Sequence, residues 1–288
     1  MMFLLMQLEE DWKELRRRMN KVGTTVSSKV IKNFFSQTTV LAQRSLVSEL
    51  RQIATVLPGL LFPLLLAFTY TEQFNRVLTL PGFPEVESFL DFLLPATVLQ
   101  MVSFGASNSG TELALDIENG FMDRLLASPV ARVPILIGRV AGSALLAGLK
   151  TVIIVLVFLL AGAQVSSGLA GLLVLVVSAC LLVVVIGGLS QILAIRSGSQ
   201  EIVGATFPLI FVMIFMSSAF FPTELMSGWF KRLAELNPMT WVIDPLRRLM
   251  IVGWSWSDAA TSLGILVLGA VLITSASVRA LHKKLGRP

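Results

Sequence analysis

The sequence predicts an all-α polytopic membrane protein with six transmembrane helices and both termini in the cytoplasm. Three observations carry that expectation. Of 288 residues, 55% are hydrophobic and 14% charged, with mean hydropathy +0.79, whereas soluble domains carry roughly 25% charged residues. Six apolar blocks approach the ~20 residues a helix needs to cross about 30 Å of hydrocarbon. Lysine and arginine are spread unevenly over the loops between them.

Residues 1–33 read as a cytoplasmic amphipathic extension, because Leu8, Trp12, Leu15, Met19 and Val22 recur at spacings of three and four. Such a helix suits a membrane surface, a partner or plain solvent. The apolar start "MMFLLMQL" is short and has no basic leader, so no cleavable signal peptide is expected. Residues 34–52 read as an interfacial connecting helix, with Phe35, Ala42, Leu46, Leu50 and Ile53 on one face.

A six-span domain over residues 53–283 follows, with blocks near Ile53–Tyr70, Phe89–Gly110, Val133–Ala161, Leu169–Ala194, Ile202–Phe221 and Ala259–Val278. Pro58 and Pro63 predict a kink in the first block. In the third, Gly138-xxx-Gly142 and Ala144-xxx-Gly148 place small residues one turn apart, which favours close helix packing.

Two connecting segments are not simple polar turns. Between the second and third blocks, residues 116–132 ("DIENGFMDRLLASPVAR") begin with acids and continue with Phe121, Met122, Leu125 and Leu126 at helical spacing. They close with Pro129 and Arg132. That order predicts a short amphipathic cytoplasmic helix with Asp116 and Glu118 at its positive end. The outer segment 222–257 holds four of the five tryptophans and several prolines. It predicts re-entrant interfacial helices broken at Asn237-Pro238 and Asp244-Pro245, with Asp244 paired to Arg247 or Arg248 at i+3 or i+4. Residues 284–288 form a basic cytoplasmic tail.

With six spans, seventeen of the 23 basic residues fall on the side of the termini and five on the other, with Lys150 inside a span. The positive-inside rule makes the richer side cytoplasmic. Membrane topology therefore accounts for the net charge of +5, and no nucleic-acid partner is needed.

The chain has one cysteine, Cys180, inside the fourth block, and one histidine, His282, near the tail. Ser-His and Cys-His catalysis and multi-histidine metal sites are therefore nearly excluded, and no metal site or catalytic residue is expected. "GSALLAGLKT" (142–151) lacks the glycine directly before lysine that a phosphate-binding loop requires, so no nucleotide is expected on this chain. Lys150 falls near mid-span, where an ammonium is costly unless it faces protein or water. No carboxylate is expected at its depth, and Gln100 and Ser103 are its candidate polar neighbours. The three could line a pathway or subunit interface, or Lys150 could snorkel to the headgroups.

The segment "ENGFMDRLLASPVAR" together with "FFPTELMSGWFKRLAELNPMTWVIDPLRRLM" before the last span resembles the permease subunits of ABC-2-type exporters, including daunorubicin-resistance-like drug exporters. The six-span plan and the preceding interfacial helix agree with that resemblance. It implies a non-catalytic permease in a bacterial cytoplasmic membrane, paired with a second copy or paralogue and with two cytoplasmic ATPase subunits that bind ATP and Mg. It also implies that Glu118, Gly120, Phe121, Leu125, Ser128, Pro129 and Arg132 belong to a coupling helix seated in the ATPase. The implied substrate is an amphipathic drug or lipid, with a lipid-linked glycan or polysaccharide as the alternative. An ion-coupled carrier or an intramembrane enzyme fits less well, because mid-membrane acids and span histidines are missing.

Overall fold

The computed structural model describes residues 34–51, 53–122, 124 and 132–285, and every regular element among them is helical. In chain order these are α1 (Phe34–Arg51), α2 (Ile53–Phe74), α3 (Phe89–Ala106), α4 (Asn108–Glu118), α5 (Arg132–Leu160) and α6 (Gly168–Ser197). They are followed by α7 (Gln200–Gly204), α8 (Thr206–Phe215), α9 (Gly228–Leu236), α10 (Pro238–Ile251) and α11 (Trp256–Leu285). Short 3-10 turns occupy Asn75–Thr79 and Thr223–Leu225. The extension expected over residues 1–33 lies outside the described residues.

Local chemistry sets several boundaries. Ser88 caps α3 by accepting the Leu90 N–H, while Asp91 reaches back to the Ser88 N–H at 3.2 Å, a reciprocal capping box. Asp91 also accepts the Gln164 N–H at 2.7 Å, which ties the α5–α6 turn to the same end of the bundle. The α6 helix stops at Gly198, whose φ of +66° is the left-handed conformation that favours glycine. Asn237 caps α10, with Pro238 supplying the first turn.

Four helical stretches are long and apolar enough to cross a membrane: α3 continued by α4, then α5, α6 and α11. Helix α1 and the segment from Val56 to Thr79 qualify as a fifth when taken together, with a 68° bend between them. The expected span over Ile202–Phe221 takes a different form. There α7 and α8 break at Ala205 and together reach only from Gln200 to Phe215, short of a full crossing. Similarly, the second block is interrupted at Ser107. The expected break at Asp244-Pro245 is absent, because α10 runs through Pro245.

Helix α3 is the core of the bundle: 89% of its spanning window is buried, against 22% for α11. Its Phe89, Phe92, Leu93, Leu94 and Leu99 pack with α2, α5, α6 and α10. A smaller cluster joins Leu113, Met122, Ile135, Leu136, Ile195, Val203 and Leu281. These residues sit in α4 and just beyond it, at the start of α5, the end of α6, in α7 and at the end of α11, so one end of the bundle has a core of its own.

Close approach at two pairs of glycines sets the helix spacing. A Cβ on Gly138 would lie 2.6 Å from Leu41 Cβ, and one on Gly142 would lie 2.6 Å from the Ala42 carbonyl oxygen. The small-residue motif therefore seats α5 directly on α1, while Ala144 and Gly148 meet Cys180 of α6. In α6, a Cβ on Gly187 would lie 2.7 Å from Ser109 Oγ, and one on Gly188 would lie 2.6 Å from Ile273 of α11.

Candidate functional site

The bundle end that holds the smaller cluster also holds the segment expected to couple to a partner. Its residues are distributed differently from the sequence expectation. Asp116 and Glu118 do not open a helix; they close α4, where the helix dipole disfavours negative charge. Each has a partner that offsets the position. Asp116 is ion-paired to Arg139 of α5, with only 17% and 7% of their side chains exposed. Glu118 accepts the Gln200 N–H at the start of α7 at 2.8 Å. Gly120, at φ +65°, then turns the chain.

Beyond the turn, Phe121 is half-buried and Met122 is buried in the cluster with Leu113 and Leu136. The Arg44 guanidinium of α1 lies over the Phe121 ring, 4.7 Å from its centroid, a cation–π contact. Part of the apolar side of this segment is thus taken up by the chain itself. Leu125, Ser128 and Pro129 lie outside the described residues, as does the side chain of Arg132 at the first position of α5.

Helix α1 is tied to the same unit through its small and polar residues. Thr38, Ala42, Ser45 and Glu49 point inward, whereas Phe35 and Leu50 of the apolar face are 65% and 43% exposed. Lipid is as apolar as leucine, so hydrophobicity does not mark the protein-facing side of a membrane helix; small and polar residues do. Ser45 donates to Glu112 of α4 at 3.2 Å, and the Ser143 hydroxyl of α5 donates to the buried Glu49. A single acid two residues before Arg51, in an otherwise basic region, was the available signal for Glu49.

Glu49 also revises the surroundings of Lys150. It lies within electrostatic reach of the Lys150 ammonium, so a carboxylate is available to this lysine after all, from α1. The Lys150 Nζ packs over α3, 3.6 Å from where a Cβ on Gly105 would lie. Gln100 and Ser103 are not brought to it by hydrogen bonds. Ser103 donates to the Leu99 carbonyl at 2.6 Å, and Gln100 is buried with its amide nitrogen unpartnered among the described residues.

A second feature, unread in the sequence, is a ladder of rings. Phe62 of α2 meets Phe104 of α3, which stacks on Phe207 and Phe211 of α8. The series continues through Phe215 and Phe220 to Tyr70. Phe207, Phe211 and Phe215 recur every four residues, and that was the legible signal. Phe62 and Phe207 are 43% and 47% exposed. At the opposite end of the bundle from α4, Arg247 of α10 is buried. It pairs with Asp244 at 3.1 Å and donates to the Phe92, Ser218 and Ala219 carbonyls at 3.2, 2.7 and 3.0 Å. Arg248 pairs with Asp258 instead.

Among the described residues no group of three or more histidine, cysteine, aspartate or glutamate side chains could hold a metal ion. What the geometry offers is mechanical. The α1 helix, the end of α4, the turn at Gly120 and the start of α5 are joined by one ion pair, two buried or half-buried side-chain hydrogen bonds and one cation–π contact.

Residues 36–251 match the ABC-2 type transporter family. Among individual relatives, ycf38 of Cyanophora paradoxa, whose name assigns it to the transport permeases, is 28% identical over 235 residues, covering 81% of this chain and 80% of its own. The same-named protein of Pyropia yezoensis is 27% identical over 256 residues, 84% of this chain and 86% of its own. The daunorubicin resistance ABC transporter permease protein DrrB1 of Streptomyces coeruleorubidus is 28% identical over 195 residues, 66% of each chain.

Proposed function

Because the chain belongs to the ABC-2 type transporter family, we propose that this multi-pass membrane protein is the permease subunit of an ATP-driven exporter, carrying an amphipathic drug or lipid-like substrate outward across a bacterial cytoplasmic membrane. ATP and Mg are bound by two separate cytoplasmic ATPase subunits, and a second permease copy or paralogue completes the conduit. The chain crosses the membrane six times, with α7, α8 and the residues that follow through Phe221 together completing the fifth passage, and with both termini in the cytoplasm.

One observation carries the reading: α1 and the α4–α5 connection are fastened into a unit that a partner can move as one body. Closure of an ATPase pair against residues 118–132 then displaces α1 through Arg44, Glu112, Asp116 and Glu49, and α1 runs directly toward α2. The ring ladder from Phe62 to Phe220 supplies an apolar, polarisable surface suited to a hydrophobic substrate. Lys150 lines the pathway or the interface with the second permease, beside Glu49. The name of the Streptomyces relative favours a drug over a glycan.

The test is co-purification with the cognate ATPase and measurement of ATP hydrolysis in reconstituted vesicles. Leu125→Asp and Glu118→Arg are each expected to lower permease-dependent hydrolysis about tenfold or more, the loss of one buried contact. Unchanged hydrolysis and unchanged assembly in both variants would falsify the coupling role.

A further inference from the structure

Between α6, α8, α10 and α11 lies a cavity of about 580 Å3, within the roughly 300–1,000 Å3 range of small-molecule sites. Its wall is aliphatic, with Leu182, Leu189, Leu193, Leu209 and Met213 prominent, and Arg196 is the one charged residue among its described lining residues. The two hydroxyls in the lining are already bonded within the chain, Ser190 to the Ile186 carbonyl and Thr206 to the Val203 carbonyl. Leu182 lies halfway along α6 and Arg196 in its last turn, a separation of roughly 20 Å at helical rise. That length compares with roughly 15 Å for the hydrocarbon of one leaflet.

Arg196 also lines a second recess of about 450 Å3, with Ile195, Ala280, Lys283 and Lys284. Among the described residues no carboxylate lines either space, and none of these three exposed cations forms an ion pair. Completing the α6 dipole accounts for Arg196 alone. It leaves unexplained why two lysines of α11 converge on it and why an aliphatic slot begins at the same residue. A basic recess that meets a chain-length apolar groove at Arg196 is complementary to a molecule with an anionic head and an alkyl tail.

We propose that this groove and recess bind an anionic glycerophospholipid of the cytoplasmic leaflet, with one acyl chain against Leu182–Leu193 and the phosphate held by Arg196, Lys283 and Lys284. The choice of leaflet rests on the topology proposed above, which puts these three cations at the cytoplasmic face. The bound lipid bridges the ends of α6 and α11 next to the inner-end cluster, since Ile195 belongs to both that cluster and the recess.

The experiment is native mass spectrometry of the full chain, extracted in mild detergent with whatever subunits co-purify, delipidated, and offered dioleoyl phosphatidylglycerol or dioleoyl phosphatidylcholine. Retention of the glycerol lipid is expected to exceed that of the choline lipid about tenfold or more, given three basic groups at the headgroup level. Replacing Arg196, Lys283 and Lys284 together by Gln should abolish that preference. The Leu193→Trp variant should reduce retention of both lipids, and Lys231→Gln with Arg232→Gln should change nothing. Equal retention of the two lipids, a preference surviving the triple replacement, or full retention in Leu193→Trp would each overturn the proposal. If Leu193→Trp instead dissociates a permease dimer that retains no lipid, the groove belongs to a second copy and the proposal also fails. Retention is read without ATP or transport, so it can fail while coupled hydrolysis stands, and the reverse.

Discussion

Arg247 and Arg248 are neighbours with the same charge, and the structure separates their worth. The Arg247 guanidinium is 5% exposed, lies 3.7 Å from the centre of the Phe92 ring and joins α10 to α3 and to the turn after α8. Removing a partner from a buried charge network costs about 3–5 kcal/mol. Arg247→Ala is therefore expected to lower the thermal midpoint in detergent by roughly 10 °C. Lysine should not rescue it, since an ammonium cannot reproduce the guanidinium fork. The Arg248 side chain is 54% exposed in its pair with Asp258, so Arg248→Ala should cost less than about 1 kcal/mol and shift the midpoint by roughly 2 °C. Equal shifts for the two would show that burial does not govern this end of the molecule. Sequence spacing alone allowed Asp244 to choose either arginine; only the packing of α10 on α3 decides between them.

At the scale of helices, the contact of α1 with α5 depends on the two glycines that let the backbones meet. Inserting a large side chain where Gly142 faces the Ala42 carbonyl forces the pair apart, an overpacking cost of about 1–3 kcal/mol. Gly142→Leu should reduce crosslinking by a short thiol-reactive linker between cysteines placed at Ser45 and Glu112, in a Cys180→Ser background, by about tenfold. Gly264→Ala, where no atom lies within 4 Å, should leave it unchanged. The long spans were legible because sustained hydrophobicity suffices to define them, and α5, α6 and α11 fall close to the expected ranges. The interruptions at Ser107 and Ala205 were not read, although Gly105 lies two residues before the first and Gly204 directly before the second, because in an apolar block glycine marks close helix packing as readily as a break. The converse error occurred at Pro245, which sits within α10 without ending it. The acid-first order of residues 116–118 suggested a helix start; they close α4 before the turn at Gly120, and Arg139, more than twenty residues away, supplies the charge that offsets Asp116 there.

Across the whole molecule, the ends of α4 and α6, the start of α5 and the end of α11 share one layer, while Arg247, the Ser88 cap and the tryptophans of the outer segment belong to the other. The proposed orientation puts the first layer in the cytoplasm. A fluorescent protein fused after Pro288 should then fold and fluoresce in cells, whereas alkaline phosphatase inserted at Gly253 should be active. The inverse pattern would reverse the orientation and with it the leaflet assigned to Arg196.

The adjacent glycines of α6 have a consequence for how motion crosses the bundle. Gly187 leaves no room on the side of α4, and Gly188 leaves none on the side of α11. Close-packed interiors transmit strain rather than absorb it, and here only the Ser109 hydroxyl and an Ile273 methyl group stand between the helix backbones. Two adjacent residues of one helix thus put α4 and α11 in register with each other: a bulky side chain at either position would push a different neighbour away, Ser109 at Gly187 and Ile273 at Gly188.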